Sequence, residues 1–338
     1  MKLITVSYNE SGQRLDKLLA KYLKEAPKSF LYKMMRKKNI TLNNKKAQGN
    51  ELLKQGDEIK LFLADDTIAK FSGQSADIPA DIKKAMDSDR SLEIIYEDQD
   101  ILLVNKASGV LSQKAAPEDI SLNEYILAYL LKSGSLTPQI MQSFRPSICN
   151  RLDRNTSGLL AAGKTLPGSQ YLSTLFHDRT VKKYYLAVVH GAVEQSQKID
   201  GYLLKDHDKN KVKILDKPVA DASRIQTEYC PLAVGKDITL LEVHLITGRT
   251  HQIRAHLASI GHPLIGDPKY GNSRINTLYR QKYHVRTQLL HAWRMEFPVQ
   301  EDSQIQASGR TFYAPVPDMI NNLLKGEGIQ WEHGTQED

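Results

Sequence analysis

Cysteine is nearly missing from this 338-residue chain; there are two, Cys149 and Cys230. One pair cannot build a disulfide framework, and no CxxC spacing suggests zinc, so a reduced cytoplasm is the expected setting. Long apolar runs are missing too. No stretch approaches eighteen consecutive apolar residues, so no helical membrane span is expected. The first ten residues hold no apolar run, so no secretory signal is expected either. No GxGxxG follows a strand, so nothing points to a dinucleotide.

Positive charge is present and unevenly placed. The chain carries a net charge of +7, yet residues 1–63 alone hold fourteen Lys and Arg against six Asp and Glu. The remainder is therefore close to neutral. A basic module on a neutral body suggests a grip for a polyanion beside a separate chemical site. The length allows two domains and a sizeable core.

In residues 1–63, Leu15, Leu18, Leu19, Tyr22 and Leu23 recur at helical spacing, and Pro27 ends the run because proline cannot continue the hydrogen-bond ladder. A second short helix is expected over 29–38, with Lys33, Arg36, Lys37 and Lys38 towards its end. Asn43 to Lys46 reads as a polar turn between short strands, and residues 58–63 alternate like a strand. A solvated lysine-rich surface would share this charge run. Residues 64–90 read as a polar linker.

From about Leu92 the pattern becomes that of a larger domain, 91–325. Residues 92–96 and 101–104 make a hairpin, and 121–131 an amphipathic helix. Residues 159–162, 181–190, 237–246 and 289–297 read as strands, with helices over 169–177 and 250–259. Strands with interspersed helices suggest an α+β domain.

One stretch organises the rest: Cys149-Asn150-Arg151-Leu152-Asp153-Arg154-Asn155-Thr156-Ser157-Gly158-Leu159-Leu160. A single acid, Asp153, lies between two arginines in a polar turn ahead of a buried strand. A nearby cation favours the ionised form of a carboxylate. At a strand end such a group can act as a base or a nucleophile. The same residues could equally form an Arg–Asp pair that caps a turn.

The run Arg151-Leu152-Asp153-Arg154-x-Thr156-Ser157-Gly158-Leu159 resembles the active-site signature of the RluA-type pseudouridine synthases. Three further segments match in order: Lys183-x-Tyr185-x-Ala187-x-Val189-x-Gly191; Thr247-Gly248-Arg249-Thr250-His251-Gln252-Ile253-Arg254-x-His256; and Gly261-His262-Pro263-Leu264-Ile265-Gly266-Asp267-x-x-Tyr270-Gly271. The likeness spans residues 91–300. Residues 12–60 resemble the small RNA-binding domain named for a ribosomal small-subunit protein, the S-four domain.

The resemblance implies a mixed, largely antiparallel sheet with a central cleft for RNA. It implies an isomerase that breaks the bond between uracil nitrogen and ribose and rejoins the same base through carbon five. No atoms are gained or lost, so no cofactor is expected. Asp153 is the expected catalytic carboxylate, as attacking group or as base, with Arg254 paired to it and Tyr185 stacked on the base and assisting proton removal. Arg151 and Arg154 are expected to meet the RNA backbone or, equally, to lock the turn; Arg249 to contact phosphate; Leu264 to lie near the base or, equally, in the core; and Lys33, Arg36, Lys37 and Lys38 to grip structured RNA. His251 and His256 lie five apart, roughly 140° around a helix, so no metal site is expected; they are read as holding the helix start and the loop. Asn150, Asn155 and Ala107 stand where many members have histidine, aspartate and proline. The expected substrate is large-subunit ribosomal RNA or its precursor particle, handled by a cytoplasmic monomer; the alternatives are transfer RNA or a non-catalytic RNA-binding ribosome-assembly role.

Overall fold

The computed structural model describes residues 1–72, 77–206, 211–301 and 305–331. The N-terminal module pairs two helices with a four-stranded antiparallel sheet. Its strands are β1 (Lys2–Thr5), β2 (Ile40–Leu42), β3 (Lys45–Lys46) and β4 (Glu58–Leu61), in the order β1-β4-β2-β3. Helix α1 (Leu15–Tyr22) follows the leucine spacing, and α2 (Lys28–Arg36) starts at Pro27, whose fixed φ of −58° suits a helix entry. Leu15, Leu18, Leu19, Leu31 and Met35 meet Ile40, Ile59 and Leu61 in one core. Asn43 and Asn44 both take positive φ, 49° and 62°, the conformation of a tight hairpin turn. Strand β1 carries little apolar signal: its residues lie at a sheet edge, and Leu3 is exposed.

The stretch 64–90 is not a plain linker. It contains α3 (Asp65–Ser72) and α4 (Ala80–Met86), while residues 73–76 lie outside the described residues. Ile68 of α3 joins the N-terminal core. Ile82 and Ala85 of α4 join the core of the larger body. Each helix spans about two turns and buries one or two side chains, too few to set up a visible periodicity.

The larger body is built on one twisted sheet. Its elements are β5 (Glu93–Glu97), β6 (Ile101–Lys106), α5 (Leu122–Lys132), α6 (Pro138–Ser143), β7 (Ser147–Ile148), β8 (Ser157–Gly163), α7 (Leu166–His177), β9 (Lys182–His190), β10 (Gln197–Asp206), β11 (Lys211–Leu215), β12 (Ser223–Val234), β13 (Ile238–Leu245), α8 (Gln252–Ser259), α9 (Ser273–Tyr283), β14 (Leu290–Glu296), β15 (Thr311–Tyr313) and α10 (Asp318–Gly326). The strand path is β11-β10-β12-β13-β9-β14-β8-β6-β5, with β15 beside β14 and β7 beside β8. Among the described residues every pair is antiparallel except β14 with β8, where His291 lies opposite Ser157. The fold is thus α+β with a mixed, mostly antiparallel sheet. Helices α4 and α5 cover one face, α7 packs against β8, and α9 and α10 cover another part of the sheet.

The parallel junction demands a glycine. Gly158 has φ +111°, and a Cβ there would sit 2.2 Å from the Ala292 carbonyl oxygen. Only glycine lets β8 approach β14 so closely. The junction directly follows the Asp153 loop.

One string in this region imitates nucleotide chemistry. Residues 158–165 read Gly-Leu-Leu-Ala-Ala-Gly-Lys-Thr, the GxxxxGK[ST] spacing of a phosphate-binding loop. Here its interior is the buried strand β8, paired with β6 from Lys106↔Gly158 to Ile101↔Gly163. Lys164 Nζ donates to Glu97 at 2.6 Å, and the Thr165 hydroxyl accepts from Gly168 N to cap α7. The backbone N–H groups that would cradle phosphate are spent on the ladder.

Candidate active site

The loop from Cys149 to Thr156 links β7 to β8, and four ties hold it. The Asn150 side-chain oxygen accepts from Ala161 N at 2.8 Å. The Ser112 hydroxyl accepts from Leu152 N and donates to Leu152 O, at 3.1 and 2.8 Å. Thr156 N donates to Asp153 O at 3.0 Å, closing a turn around the acid. Lys106, almost fully buried, donates from Nζ to the carbonyls of Arg154, Val110 and Ala107 at 3.0, 2.9 and 3.1 Å. Burial pushes the Lys106 ammonium down to about 7, against the opposing pull of the Asp153 charge. Nothing local singles out this lysine within Asn105-Lys106-Ala107-Ser108-Gly109, because the carbonyl it ties lies 48 residues away.

Asp153 projects from this loop with its side chain 24% exposed. Its Oδ2 accepts from Arg254 Nη1 at 2.9 Å. The same guanidinium is held from behind by Asp267, which accepts from Nε at 2.7 Å and from Nη2 at 2.9 Å. Asp267 is 0% exposed, and its Oδ1 also accepts from the backbone of Lys269 and Tyr270, at 2.8 and 3.1 Å. Burial alone would raise the Asp267 pKa, but the Arg254 bonds and charge and these two N–H groups outweigh it, so the carboxyl stays below its ordinary value. Burial likewise opposes the Arg254 charge, and Asp267 first, then Asp153, reverse the effect. The result is an acid–arginine–acid relay in which a two-pronged buried pair aims the third N–H at Asp153. Asp267 carries no role in the motif as read along the chain; its partner lies thirteen residues away, across a turn that only the folded chain closes.

His251 lies at the start of α8 with φ 55°. Its Nδ1 is 3.0 Å from the Tyr270 hydroxyl, and its Nε2 is 3.8 Å from Asp153 Oδ2. Burial holds the imidazole below its ordinary pKa; the Asp153 charge opposes this, and Arg254 and Lys269 add to it. His256 points elsewhere, to Thr227 Oγ1 at 2.9 Å. His262 Nδ1 is bonded to the His190 carbonyl at 3.0 Å. These groups tie down α8 and the following loop.

Tyr185 lies on β9 between Val243 of β13 and Ala292 of β14, and is 5% exposed at the cleft wall. Burial, then the Asp153 charge, hold its hydroxyl well above the ordinary value, so the ring enters as a neutral phenol. Tyr184 faces the other way. It stacks on His244 at 4.7 Å and carries the Arg294 guanidinium 3.7 Å above its ring.

The cleft that joins these groups has a volume of about 860 Å³. Among the described residues its only lining carboxylate is Asp153, whereas Arg151, Arg154, Arg179, Lys183, Arg249, Arg254 and Lys269 all line it. Arg151 and Arg249 are exposed on its rim. Arg154 is also exposed, and its Nε donates to Gly109 O at 3.2 Å, so it braces the loop as well. Leu264 takes the second of its two expected places. It is 1% exposed, bridges Val189 and belongs to the sheet core, away from the cleft lining. Its apolar type fits both roles, and only the fold separates them. Lys33, Arg36, Lys37 and Lys38 are exposed at the end of α2, on the N-terminal module and not in the cleft.

Comparisons with known proteins identify the family. A family model described as RNA pseudouridylate synthase matches residues 100–259, and the S4 domain model matches residues 13–59. A ribosomal large subunit pseudouridine synthase D of Neisseria meningitidis is 32% identical over 95% of this chain and 80% of that protein. A ribosomal large subunit pseudouridine synthase C of Vibrio parahaemolyticus is 29% identical over 88% of each. An uncharacterized RNA pseudouridine synthase of Bacillus subtilis is 30% identical over 95% of this chain and 98% of that protein. Among solved structures, human RNA pseudouridylate synthase domain containing 4 shares the fold, with a TM-score of 0.59, 19% identity, and coverage of 75% of this chain and 98% of that one. With a lone carboxylate aimed by a buried arginine in a cationic cleft, and with likeness running nearly end to end, the chain belongs to the RNA pseudouridylate synthase family, the isomerases that turn uridine into pseudouridine, and carries an S4 domain at its N-terminal side.

Proposed function

We propose that the chain isomerises uridines of large-subunit ribosomal RNA, as a cytoplasmic monomer without a cofactor. The observation that carries the reading is the single cleft carboxylate, Asp153, held by the Asp267-anchored Arg254 among cations. Relatives named as large-subunit synthases support the choice of RNA. Two unpaired cysteines suit a reducing compartment. Among the described residues no helix is long and apolar enough to cross a membrane.

In this reading the target uridine leaves its stack, at a cost of a few kcal/mol. Its ring rests on Tyr185, where aromatic stacking returns about 1–3 kcal/mol. Asp153 acts at the ribose, as a glycosidase carboxylate does. The bond from C1′ to N1 breaks, the uracil turns in place, and C1′ joins C5; the C5 proton leaves and N1 gains one. Arg254 keeps the carboxylate charged and aimed throughout, and the water-poor wall at Tyr185 keeps the detached base from escaping.

The experiment is a site-by-site map of pseudouridine in total cellular RNA, with and without the gene, rescued by wild type or Asp153→Asn. Positions lost without the protein and regained only with wild type support the enzyme and name its RNA. Sites confined to transfer RNA overturn the substrate, and free uracil among the products overturns the isomerase in favour of a hydrolase. Rescue by Asp153→Asn removes the assigned chemistry.

A further inference from the structure

Lys183 shares the cleft face of β9 with Tyr185, because side chains two apart on a strand point the same way. Its ammonium lies 5.8 Å from the Phe176 ring and, among the described residues, is paired with no carboxylate. Burial pushes the Lys183 ammonium down, and the nearby Arg179 charge adds to this. Arg179 is unusual in its own right. It follows α7 with φ 61°, at a position closed by Thr180 N donating to Leu175 O at 3.0 Å. Glycine is the usual residue at such a helix exit, so an L side chain there is strained. The strain sets an exposed guanidinium on the cleft lining. The neighbouring Asp178 carboxylate turns to His177 Nδ1 at 2.8 Å, and among the described residues no ion pair joins it to Arg179.

We propose that Lys183 and Arg179 form a binding site for one backbone phosphate of the RNA, beside the nucleotide whose base stacks on Tyr185. The proposal rests on the reading of the cleft given above. A phosphodiester supplies what both cations lack: Lys183 gives a point charge and Arg179 a fork of donors to its oxygens. It also relieves the repulsion between them, and it fixes the sugar-phosphate at one end of the flipped nucleotide while Tyr185 holds the other.

The test uses the full chain and an in vitro transcribed large-subunit ribosomal RNA. Binding is measured from about 50 to 200 mM KCl, together with the single-turnover rate of pseudouridine formation at saturating RNA. Lys183→Met and Arg179→Ala should each weaken binding roughly 5- to 20-fold and flatten the log–log salt slope by about 0.7, the value for one neutralised phosphate on a single strand. Lys183→Arg should recover the wild-type slope. A rate collapse in Lys183→Met with unchanged affinity and slope would assign the lysine to the chemistry and overturn the proposal. A lowered melting temperature with a wild-type slope would make both residues structural and also overturn it. Should wild type make no pseudouridine in this RNA while the slopes change as stated, the phosphate site stands and the assigned reaction falls.

Discussion

Asp267→Asn tests how the Asp153 carboxylate is held. Arg254 makes three N–H bonds to carboxylates, two to Asp267 and one to Asp153. Asparagine offers one oxygen and no charge. One prong of the pair is lost, the other no longer joins opposite charges, and a single oxygen cannot serve the Lys269 and Tyr270 N–H groups as well. A hydrogen bond to a charged group contributes about 1.5–3 kcal/mol, and breaking a buried pair costs about 3–5 kcal/mol. Stability should therefore fall by roughly 3 kcal/mol, which for a protein of this size lowers the melting temperature by roughly 4 °C. If the Asp267 fork aims Arg254, one such bond removed from the aim slows the saturated rate by roughly ten- to a hundredfold. The assay is single-turnover pseudouridine formation beside calorimetry. The sign with pH follows from the depressed Asp267 carboxyl. It adds stability above its unfolded value near 3.9, and that share is lost as pH falls through the lower folded value. Wild type should show this acid-side loss below about pH 4, and Asp267→Asn should not. A variant that melts earlier yet reacts within about twofold of wild type would refute the relay, leaving Asp267 as scaffold only.

Three further outcomes are expected. Lys106 has its folded pKa lowered to about 7, against about 10.4 unfolded, so the unfolded chain binds more protons between those values and stability rises with pH there. Lys106→Met should lose up to about 1.4 kcal/mol per pH unit of that slope, read from denaturant unfolding across the window; equal slopes would refute it. Gly158→Ala forces a Cβ to 2.2 Å from the Ala292 carbonyl at φ +111°, so it should cost about 3 kcal/mol or more and empty the soluble fraction; a normal melting curve would show that β8 and β14 can separate. Changing Lys33, Arg36, Lys37 and Lys38 together to alanine should weaken RNA binding and flatten its salt slope by about 0.7–0.9 for each phosphate no longer neutralised; an unchanged slope would remove α2 from the RNA interface.

Much of the fold was legible because its signals are local. The leucine spacing of α1, Pro27 at the entry to α2, the paired asparagines of the β2–β3 turn and the apolar run of β8 each depend on neighbours in sequence. Helix α9 and the two helices within 64–90 leave no comparable mark, because each buries only one or two side chains. Strands β10 and β12 do alternate, and α10 buries Ile320, Leu323 and Leu324 on one side, so these signals were present in the sequence but not read from it. The GxxxxGKT string shows the opposite failure, a local pattern whose meaning the sheet overrides.

The amino-acid order by itself determined which residues could do chemistry: one acid between arginines, a Lys-x-Tyr strand, and an arginine between two histidines, on a chain with a basic end. Tertiary structure alone decided how they meet. Arg254 reaches Asp153 across a separation of 101 residues. Asp267 becomes the anchor of that arginine, Lys106 the tie beneath the loop, and Leu264 core rather than cleft. The physical reason is that charge and side-chain type are properties of a residue, whereas a hydrogen bond or a buried pair is a property of two residues, and their distance is set only when the sheet closes around them.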